Sequence, residues 1–198
     1  MSAGDLARPT RRTELLELAY RYVLEHGLSD LSLRPLATAV GSSPRVLLYL
    51  FGSKDRLITA LLARARADEL RLLALARRPA ATPAVGLDVV VEDIWDLLVS
   101  ADQRPLLALW VEGCARSLRN PGPIGRWCRG PFETVDDWLS LLADGQPPAV
   151  RGTEDGRAER VLALAVLRGA LIDMLLTGDV ERTTAAVRRH CTALRGAQ

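Results

Sequence analysis

The sequence predicts an all-α fold of about nine helices, with an N-terminal three-helix domain that contains a helix-turn-helix and a larger C-terminal helical domain. Three observations support this prediction. Apolar residues recur along most of the chain at the three- and four-residue spacing of a helix face. Clusters of glycine and proline separate these stretches. No segment alternates apolar and polar residues in the manner of a half-buried strand.

The composition indicates a globular chain and excludes several classes. With 48% hydrophobic residues among 198, the chain can form a substantial core, and its net charge of +2 does not by itself indicate a nucleic-acid partner. Charges interrupt every apolar run before the ~18 residues of a membrane span, and no apolar core follows the basic N-terminus as in a signal peptide. We therefore expect a cytoplasmic protein. Cys114, Cys128 and Cys191 lack the spacing of a disulfide framework or a zinc site.

The first three helices are bounded by strong local signals. The first runs from about Arg12 to His26 and ends at a glycine. In the second, Ser32 can cap the helix and Pro35 falls in its first turn, where a missing N–H costs nothing. Gly41 stands where a helix C-terminus favours a residue with positive φ.

The third helix begins at the pair Ser43-Pro44, a cap followed by a proline at the first helical position. It is short enough to lie in a DNA major groove with its N-terminal side chains against base edges. Helical spacing predicts that Leu47, Leu48 and Phe51 pack inward. The residues expected to face outward are Arg45, Val46, Tyr49 and Leu50. Ser53 can cap the helix that follows, which begins at Lys54.

Residues 13–62 resemble the DNA-binding domain of the tetracycline-repressor (TetR) family of bacterial transcriptional regulators. The matching features are His26-Gly27, the run Leu31-Ser32-Leu33-Arg34, Leu36-Ala37, Gly41, Ser43, Leu47, Phe51, and Ser53-Lys54-Asp55 with Leu57. The chain departs from the family at two positions: Leu48 stands where the family usually has tyrosine, and Leu50 where it often has histidine. Tyr49 lies one position from the expected tyrosine.

Eight residues are assigned to DNA contacts: Arg34, Ser43, Pro44, Arg45, Val46, Tyr49, Leu50 and Lys54. Arg34 and Arg45 can reach guanine edges, where a bidentate arginine discriminates between bases by about 1–3 kcal/mol. For Arg34, a phosphate contact or a solvated charge is the alternative. Lys54 stands at a helix N-terminus, where exposed N–H groups favour an anion, so we assign it to phosphate.

The remaining helices form the second domain, predicted for residues 56–198 after a DNA-binding domain of residues 1–55. We expect helices from about Lys54 to Arg77, Ala84 to Ser100, Gln103 to Leu118 and Ile124 to Ala143, the last irregular near Gly130-Pro131. Asp144 to Gly156 is rich in glycine, proline and charge and is predicted to be a loop. The last two helices are predicted at about Arg157 to Thr177 and Val180 to Leu194.

The penultimate helix is apolar around most of its circumference, so more than one side of it must be buried. An identical helix from a second copy is the simplest second partner, and Ala163, Ala165, Gly169 and Ala170 are small enough to permit close approach. The resemblance to the TetR family implies the same homodimer interface through the last two helices. A fully internal core helix is the alternative.

The four tryptophans, Trp95, Trp110, Trp127 and Trp138, cluster in the middle of the C-terminal region. Core packing explains any one of them. Together with the family resemblance they suggest a cavity between helices for an apolar or amphipathic small molecule. The residues predicted to line it are Trp95, Trp110, Cys114, Trp138 and Asp173.

Catalytic constellations are weak in this sequence. Glu92 and Asp96 share a helical face and could bind Mg²⁺, but a solvated acidic face explains them as well. His26 and His190 have no serine or cysteine partner implied by the sequence, and no glycine-rich phosphate loop occurs. We expect no enzyme, no cofactor and no metal.

The sequence therefore predicts a DNA-binding regulator of transcription, most simply a repressor that a small molecule releases from a palindromic operator. A DNA-binding dimer without an effector and an all-α metal-dependent enzyme are the alternatives.

Overall fold

The computed structural model describes residues 10–77, 85–119 and 131–196, and the regular structure in these ranges is helical, without strands. The helices are α1 Arg11–His26, α2 Leu33–Ala39, α3 Pro44–Phe51, α4 Lys54–Ala76, α5 Leu87–Leu98, α6 Arg104–Arg119, α7 Pro131–Ala143, α8 Pro148–Arg151, α9 Glu154–Thr177 and α10 Val180–Gly196, with a 3₁₀ turn at Ala101–Gln103. The predicted all-α class is confirmed.

Local capping chemistry fixes the helix-turn-helix. The Ser43 hydroxyl accepts a hydrogen bond from the Val46 N–H at 3.3 Å, so the exposed N-terminus of α3 is capped as predicted. Gly41 has a φ of 62°, which closes the turn after α2 in the left-handed region that glycine tolerates. Ser32 occupies the cap position of α2, but its side chain makes no cap hydrogen bond, so that part of the prediction is wrong.

The N-terminal core joins α1, α2 and α3 to the first half of α4. Its buried side chains are Leu15, Ala19, Tyr20, Val23, Leu28, Leu31, Leu36, Ala37, Val40, Leu47, Phe51, Leu57, Ile58, Leu61, Leu62, Ala65 and Leu109. Leu109 comes from α6, so an element of the C-terminal half completes this core. The predicted boundary between residues 55 and 56 stays a prediction.

The second core lies among α5, α7, α9, α10 and the last turns of α4. Trp95 is fully buried in it, and its indole N–H donates to the Thr184 hydroxyl of α10 at 2.9 Å. Ala163, Leu164, Leu167, Leu171 and Met174 form the inward face of α9. One face of this long helix therefore packs in the core, and its other face lies on the surface of the protein.

The segment predicted as a loop at residues 144–156 is more regular than expected. It contains α8, and α9 begins at Glu154 with the Thr153 hydroxyl as its cap. Gln146 is buried and donates to the Gly156 carbonyl at 3.0 Å, and Arg160 donates to the Arg151 carbonyl at 3.0 Å. Hydrogen bonds between residues ten or so positions apart order a stretch whose glycine and proline content indicated irregular structure.

Several predictions fall on residues outside the described ranges, namely the first part of the helix predicted from Ile124, as far as Gly130, together with Trp127 and Cys128. Within the described ranges, no helix has the length and hydropathy needed to cross a membrane.

Candidate nucleic-acid interface and interior cavity

Helix α3 carries the candidate nucleic-acid interface, because it is anchored on one side and open on the other. Leu47 and Phe51 are buried in the N-terminal core, as predicted, whereas Tyr49 is 86% exposed. Leu48 was expected inside but is 39% exposed, and Leu50 was expected outside but is half-buried against the core. The helix is therefore rotated from the predicted phase by about one position. The exposed side chains on α3 are Arg45, Val46, Leu48 and Tyr49.

The other residues assigned to DNA border this helix. Arg34 is exposed near the start of α2, and Lys54 is half-buried at the first position of α4. Among the described residues, no carboxylate forms an ion pair with Arg34, Arg45 or Lys54. Their charges are therefore available to an external anion. Ser43 uses its hydroxyl as the α3 cap, and Pro44 is the half-buried first residue of that helix.

A network of polar side chains joins α1 to α4. The Tyr20 hydroxyl donates to Asp68 at 2.9 Å, and the Arg64 guanidinium donates to Glu17 and to Asp68, both at 2.6 Å. Partial burial alone would raise the pKa of Asp68, but the hydrogen bonds from Arg64 and Tyr20 outweigh it and lower that pKa. Burial, reinforced by Asp68, raises the pKa of Tyr20, so the phenol stays protonated as the donor.

Two side chains of helix α6 form hydrogen bonds with the loop between α1 and α2. The Glu112 carboxylate accepts hydrogen bonds from the backbone N–H groups of Leu28 at 2.6 Å and Ser29 at 2.9 Å, and from the Ser29 hydroxyl at 3.2 Å. Arg116, one turn further along α6, donates to the Leu28 carbonyl at 3.1 Å. Two side chains of the C-terminal half thus hold the backbone of the N-terminal half.

An interior cavity of about 50 Å³ lies where α4, α6, α7 and α9 meet. Leucines supply most of its wall. Its lining residues are Leu62, Ala65, Arg66, Glu69, Leu72, Leu98, Leu106, Leu107, Leu109, Trp110, Trp138, Leu164, Leu167, Arg168 and Leu171. The space has room for a few water molecules, and a guest that exceeds it requires leucine side chains to change rotamer.

Charged groups enter this apolar cavity from α4 and α9. Arg66 lies 2.9 Å from Glu69 and also pairs with Asp137 of α7. The Trp138 indole N–H donates to Glu69 at 2.9 Å. On the opposite wall, the Arg168 guanidinium lies 5.7 Å from the centroid of the Trp110 ring, within cation–π range. Burial lowers the pKa of Arg168.

The cavity contains only part of the predicted ligand-binding set. Trp110 and Trp138 line it, but Trp95 lies in the core between α5 and α10. Asp173 points to the surface and pairs with Arg182 at 2.8 Å. Cys114 is half-buried on α6 and is not among the lining residues. The sequence could not show which tryptophans line the cavity, because the direction of each side chain depends on which helices pack against it.

Sequence reasoning missed the three charged lining residues, Arg66, Glu69 and Arg168. A usable signal was present for two of them. Arg168 interrupts the most apolar stretch of the chain, and Arg66 lies among the apolar residues of α4. A charge inside an apolar helix face is rarely buried without a partner, and it therefore marks a candidate site.

An apolar stripe runs along the outer surface of α9. Its members are separated by three or four residues and are all exposed: Ala158, Leu162, Ala165, Gly169, Ile172 and Leu176. Leu176 is 81% exposed and Leu162 57%. This spacing is that of a helix seam. Ala163 lies inside the core instead, and Ala170 is half-buried against it.

Glu92 and Asp96, the acidic pair considered as possible magnesium ligands, lie in different surroundings. The Glu92 carboxylate accepts a hydrogen bond from Arg195 at 3.1 Å, whereas Asp96 is exposed. Within the ranges that the structure describes, no group of three or more histidine, cysteine, aspartate or glutamate side chains could hold a metal ion.

The chain resembles known proteins in both sequence and fold, although no family model matches it. It is 35% identical, over 179 residues, to the HTH-type transcriptional repressor Rv1474c of Mycobacterium tuberculosis, and the match covers 89% of this chain and 88% of that protein. A TetR transcription regulator from Haloarcula marismortui superposes with a TM-score of 0.69 at 17% identity, covering 94% of this chain and 97% of that one.

A third relative was solved with a ligand. A transcriptional regulator from Saccharomonospora viridis, in complex with choline, superposes with a TM-score of 0.67 at 20% identity and covers 92% of this chain and 93% of its own. At such identities the two structures establish the fold, and the mycobacterial repressor establishes the family.

Proposed function

Since the chain belongs to the TetR family of helix-turn-helix transcriptional regulators, we propose that it is a repressor that binds a palindromic operator as a homodimer and is released by a small molecule. The observation that carries the DNA-binding part is the surface of α3. A capped helix presents Arg45 and Tyr49 to solvent, while Leu47 and Phe51 fix it to the core. Such a helix can enter the major groove without losing its support.

The apolar stripe of α9 supports the homodimer. A row of exposed apolar side chains on a helix whose other face is already buried favours a second copy, because a two-fold axis brings the same stripe against itself. Gly169 adds room for close approach, since nothing within the protomer lies within 4 Å of its missing Cβ. Two copies would present two α3 helices to successive major grooves on one face of the duplex.

The cavity and the Glu112 contact support effector control. The same helix, α6, lines the cavity through Trp110 and holds the loop at Leu28 through Glu112. A ligand that favours a different position of α6 or α4 changes the placement of α3 only if it binds that conformation better. The choline complex of the relative from Saccharomonospora viridis supports a small-molecule site in this fold. We also propose that the protein acts in the cytoplasm, where its DNA lies.

Selection from a random duplex library tests the DNA-binding proposal. We expect enrichment of one sequence with two inverted half-sites, bound at least 10³-fold more tightly than random DNA at the same salt concentration. A variant that carries both Arg45→Ala and Tyr49→Ala is the control and should enrich no sequence. Equal recovery of all sequences by the native protein would contradict sequence-specific regulation.

A further inference from the structure

We propose that the interior cavity binds a small organic carboxylate, whose apolar part displaces the leucine side chains and whose carboxylate pairs with Arg168. This inference rests on the proposed function, since it names the chemical class of the effector.

Arg168 is the group that points to an anion. It enters the cavity wall from α9 among Leu164, Leu167 and Leu171, and its guanidinium lies over the Trp110 ring. In the part of the chain that the structure describes, no carboxylate forms an ion pair with it. A partly buried cation without a directly paired carboxylate loses hydration that a ring face and the more distant Glu69 carboxylate restore only in part. Burial accordingly lowers the pKa of Arg168.

The other charges at the cavity already have partners. Arg66 lies between Glu69 and Asp137, and Glu69 also accepts the indole N–H of Trp138. Arg168 is therefore the one charged lining residue without a carboxylate within ion-pair distance among the described residues, and Glu69 acts on it only from further away. A quaternary ammonium guest would compete with Arg168 for the face of the Trp110 ring, and a neutral guest would leave the guanidinium without a direct partner. A monoanion would supply that partner.

The geometry of the guanidinium favours a carboxylate among monoanions. One arginine can donate two parallel N–H bonds to the two oxygens of a carboxylate. A dianion such as a phosphate monoester would carry a second negative charge into a wall made mostly of leucine. The carboxylate thus matches both the charge and the number of donors.

The size of the cavity indicates how the guest enters. The cavity of about 50 Å³ is small, and leucine side chains from α4, α6 and α9 form most of its wall. A guest that exceeds this space shifts these side chains and the helices that carry them. Binding is thereby linked to the two elements that contact the DNA-binding half, α4 and α6.

The experiment compares unbranched carboxylates of four to ten carbons with the alcohols and trimethylammonium ions of the same chain length. Binding to the full-length protein is measured by calorimetry and by the tryptophan fluorescence change. We expect at least one carboxylate to bind ten-fold or more tightly than its matched alcohol, and the ammonium series to bind least. Equal affinity of acid and alcohol at every length, or no binding by any acid, would overturn the proposal.

Variants of Arg168 identify the group responsible. Arg168→Met keeps the length of the side chain and removes its charge, so carboxylate affinity should fall at least ten-fold while alcohol affinity stays or rises. Arg168→Lys keeps the charge without the fork and should lie between the two. Arg157→Met, at an exposed arginine of the same helix, is the matched control and should bind as the native protein does. If Arg168→Met fails to fold, the acid–alcohol comparison on the native protein decides the question.

Operator binding by the same preparation separates the two levels of inference. If the protein binds a specific DNA site but no carboxylate, the carboxylate proposal fails and the proposed function as a DNA-binding regulator stands. If it binds a carboxylate through Arg168 but no specific DNA, the proposed function fails and the ligand class stands.

Discussion

The two cores of the protein differ in what they enclose. The N-terminal core, from Leu15 to Leu109, consists of apolar side chains and Tyr20, and its charged network of Glu17, Arg64 and Asp68 lies at the rim. Outside it, charged side chains reach the interior at Arg66 and Arg168, beside a cavity whose wall is shared between Leu62, Ala65 and Leu109 of the N-terminal core and leucines of the second core. The buried polar or charged residues of the described ranges lie in the C-terminal half, namely Asp88, Gln146, Arg160 and Thr183.

This difference matches two mechanical requirements. A helix that must present side chains to DNA with fixed geometry needs a close-packed apolar support, because such packing resists small displacements. A region that must respond to a guest needs unfilled space and groups that lack partners until the guest arrives. In the proposed regulator, the first half holds one arrangement, and the second exchanges one arrangement for another when the ligand binds. Five substitutions test this contrast.

The largest expected effect comes from the α9 stripe, since the proposed dimer contact lies in the second half and the proposed DNA contact in the first. Leu162→Glu places a charge on a large exposed side chain of the stripe, so the dimer should dissociate at least 100-fold more readily. Tight operator binding should be lost with it, while thermal unfolding of the N-terminal helices stays unchanged. Sedimentation at micromolar concentration measures the first effect and fluorescence anisotropy the second.

Ala108→Glu is the matched control for this substitution, because it adds the same charge at an exposed position of α6 outside the stripe. It should remain dimeric. A Leu162→Glu protein that is still dimeric and still binds its operator would move the interface elsewhere.

The next effect divides the DNA surface itself. Arg45→Ala should cost about 1–3 kcal/mol at its own operator and relax the base preference at one position of each half-site. Lys54→Ala should weaken binding to all sequences alike and reduce the salt slope by about 1 for each protomer. Titrations of operator and scrambled DNA at several salt concentrations separate the two. A change in sequence preference for Lys54→Ala, with none for Arg45→Ala, would reverse the assignment.

The contact between the halves is tested at Glu112. Glu112→Ala leaves the N–H groups of Leu28 and Ser29 without their acceptor, which should destabilise the protein by about 1–3 kcal/mol. Hydrogen exchange at these two amides should accelerate more than at the buried amides of α3. Glu25→Ala removes a carboxylate that is 79% exposed, on α1, and should change neither quantity. Unchanged protection at Leu28 would show that Glu112 does not hold this loop in solution.

The smallest effect concerns the rim network and depends on pH. Asp68→Asn keeps an acceptor for Tyr20 but removes the charge opposite Arg64, so it should cost about 1 kcal/mol at pH 7. Because the folded pKa of Asp68 lies below its ordinary value of 3.8, the carboxylate stabilises the fold above that value. The difference between native and Asp68→Asn proteins should then vanish as the pH falls through the folded pKa.

Urea unfolding at pH 7, 5, 4 and 3 measures this difference. Asp102→Asn, at an exposed aspartate of the 3₁₀ turn, is the control and should follow the native protein at every pH. An Asp68→Asn penalty that persists undiminished at the lowest pH would mean that the charge of Asp68 contributes nothing.

The same contrast explains how much the sequence could predict. The signals at Ser43, Gly41 and Ser53 act within three or four residues, so the helix-turn-helix was predictable from the local sequence. The burial of Leu48 and Leu50 was predicted the wrong way round, because the apolar pattern of an eight-residue helix does not define its buried face to better than one position. The cavity depends on four helices at once, and for that reason Trp110 could not be distinguished from Trp95. The partners of Arg168 and Glu112 lie too far along the chain to leave a local pattern.

The N-terminal core contains residues from both halves of the chain, and this restricts how the protein can evolve. Leu57, Ile58 and Leu61 of α4, together with Leu109 of α6, close the core on which α3 rests. Recombination with a relative at residue 55 would therefore separate the DNA-contacting helices from half of their support, and only an exchange that carried α4 and a compatible α6 would leave the core intact. New operators are accordingly reached more readily by single substitutions at the exposed positions of α3, where Arg45, Val46, Leu48 and Tyr49 can change without disturbing the core.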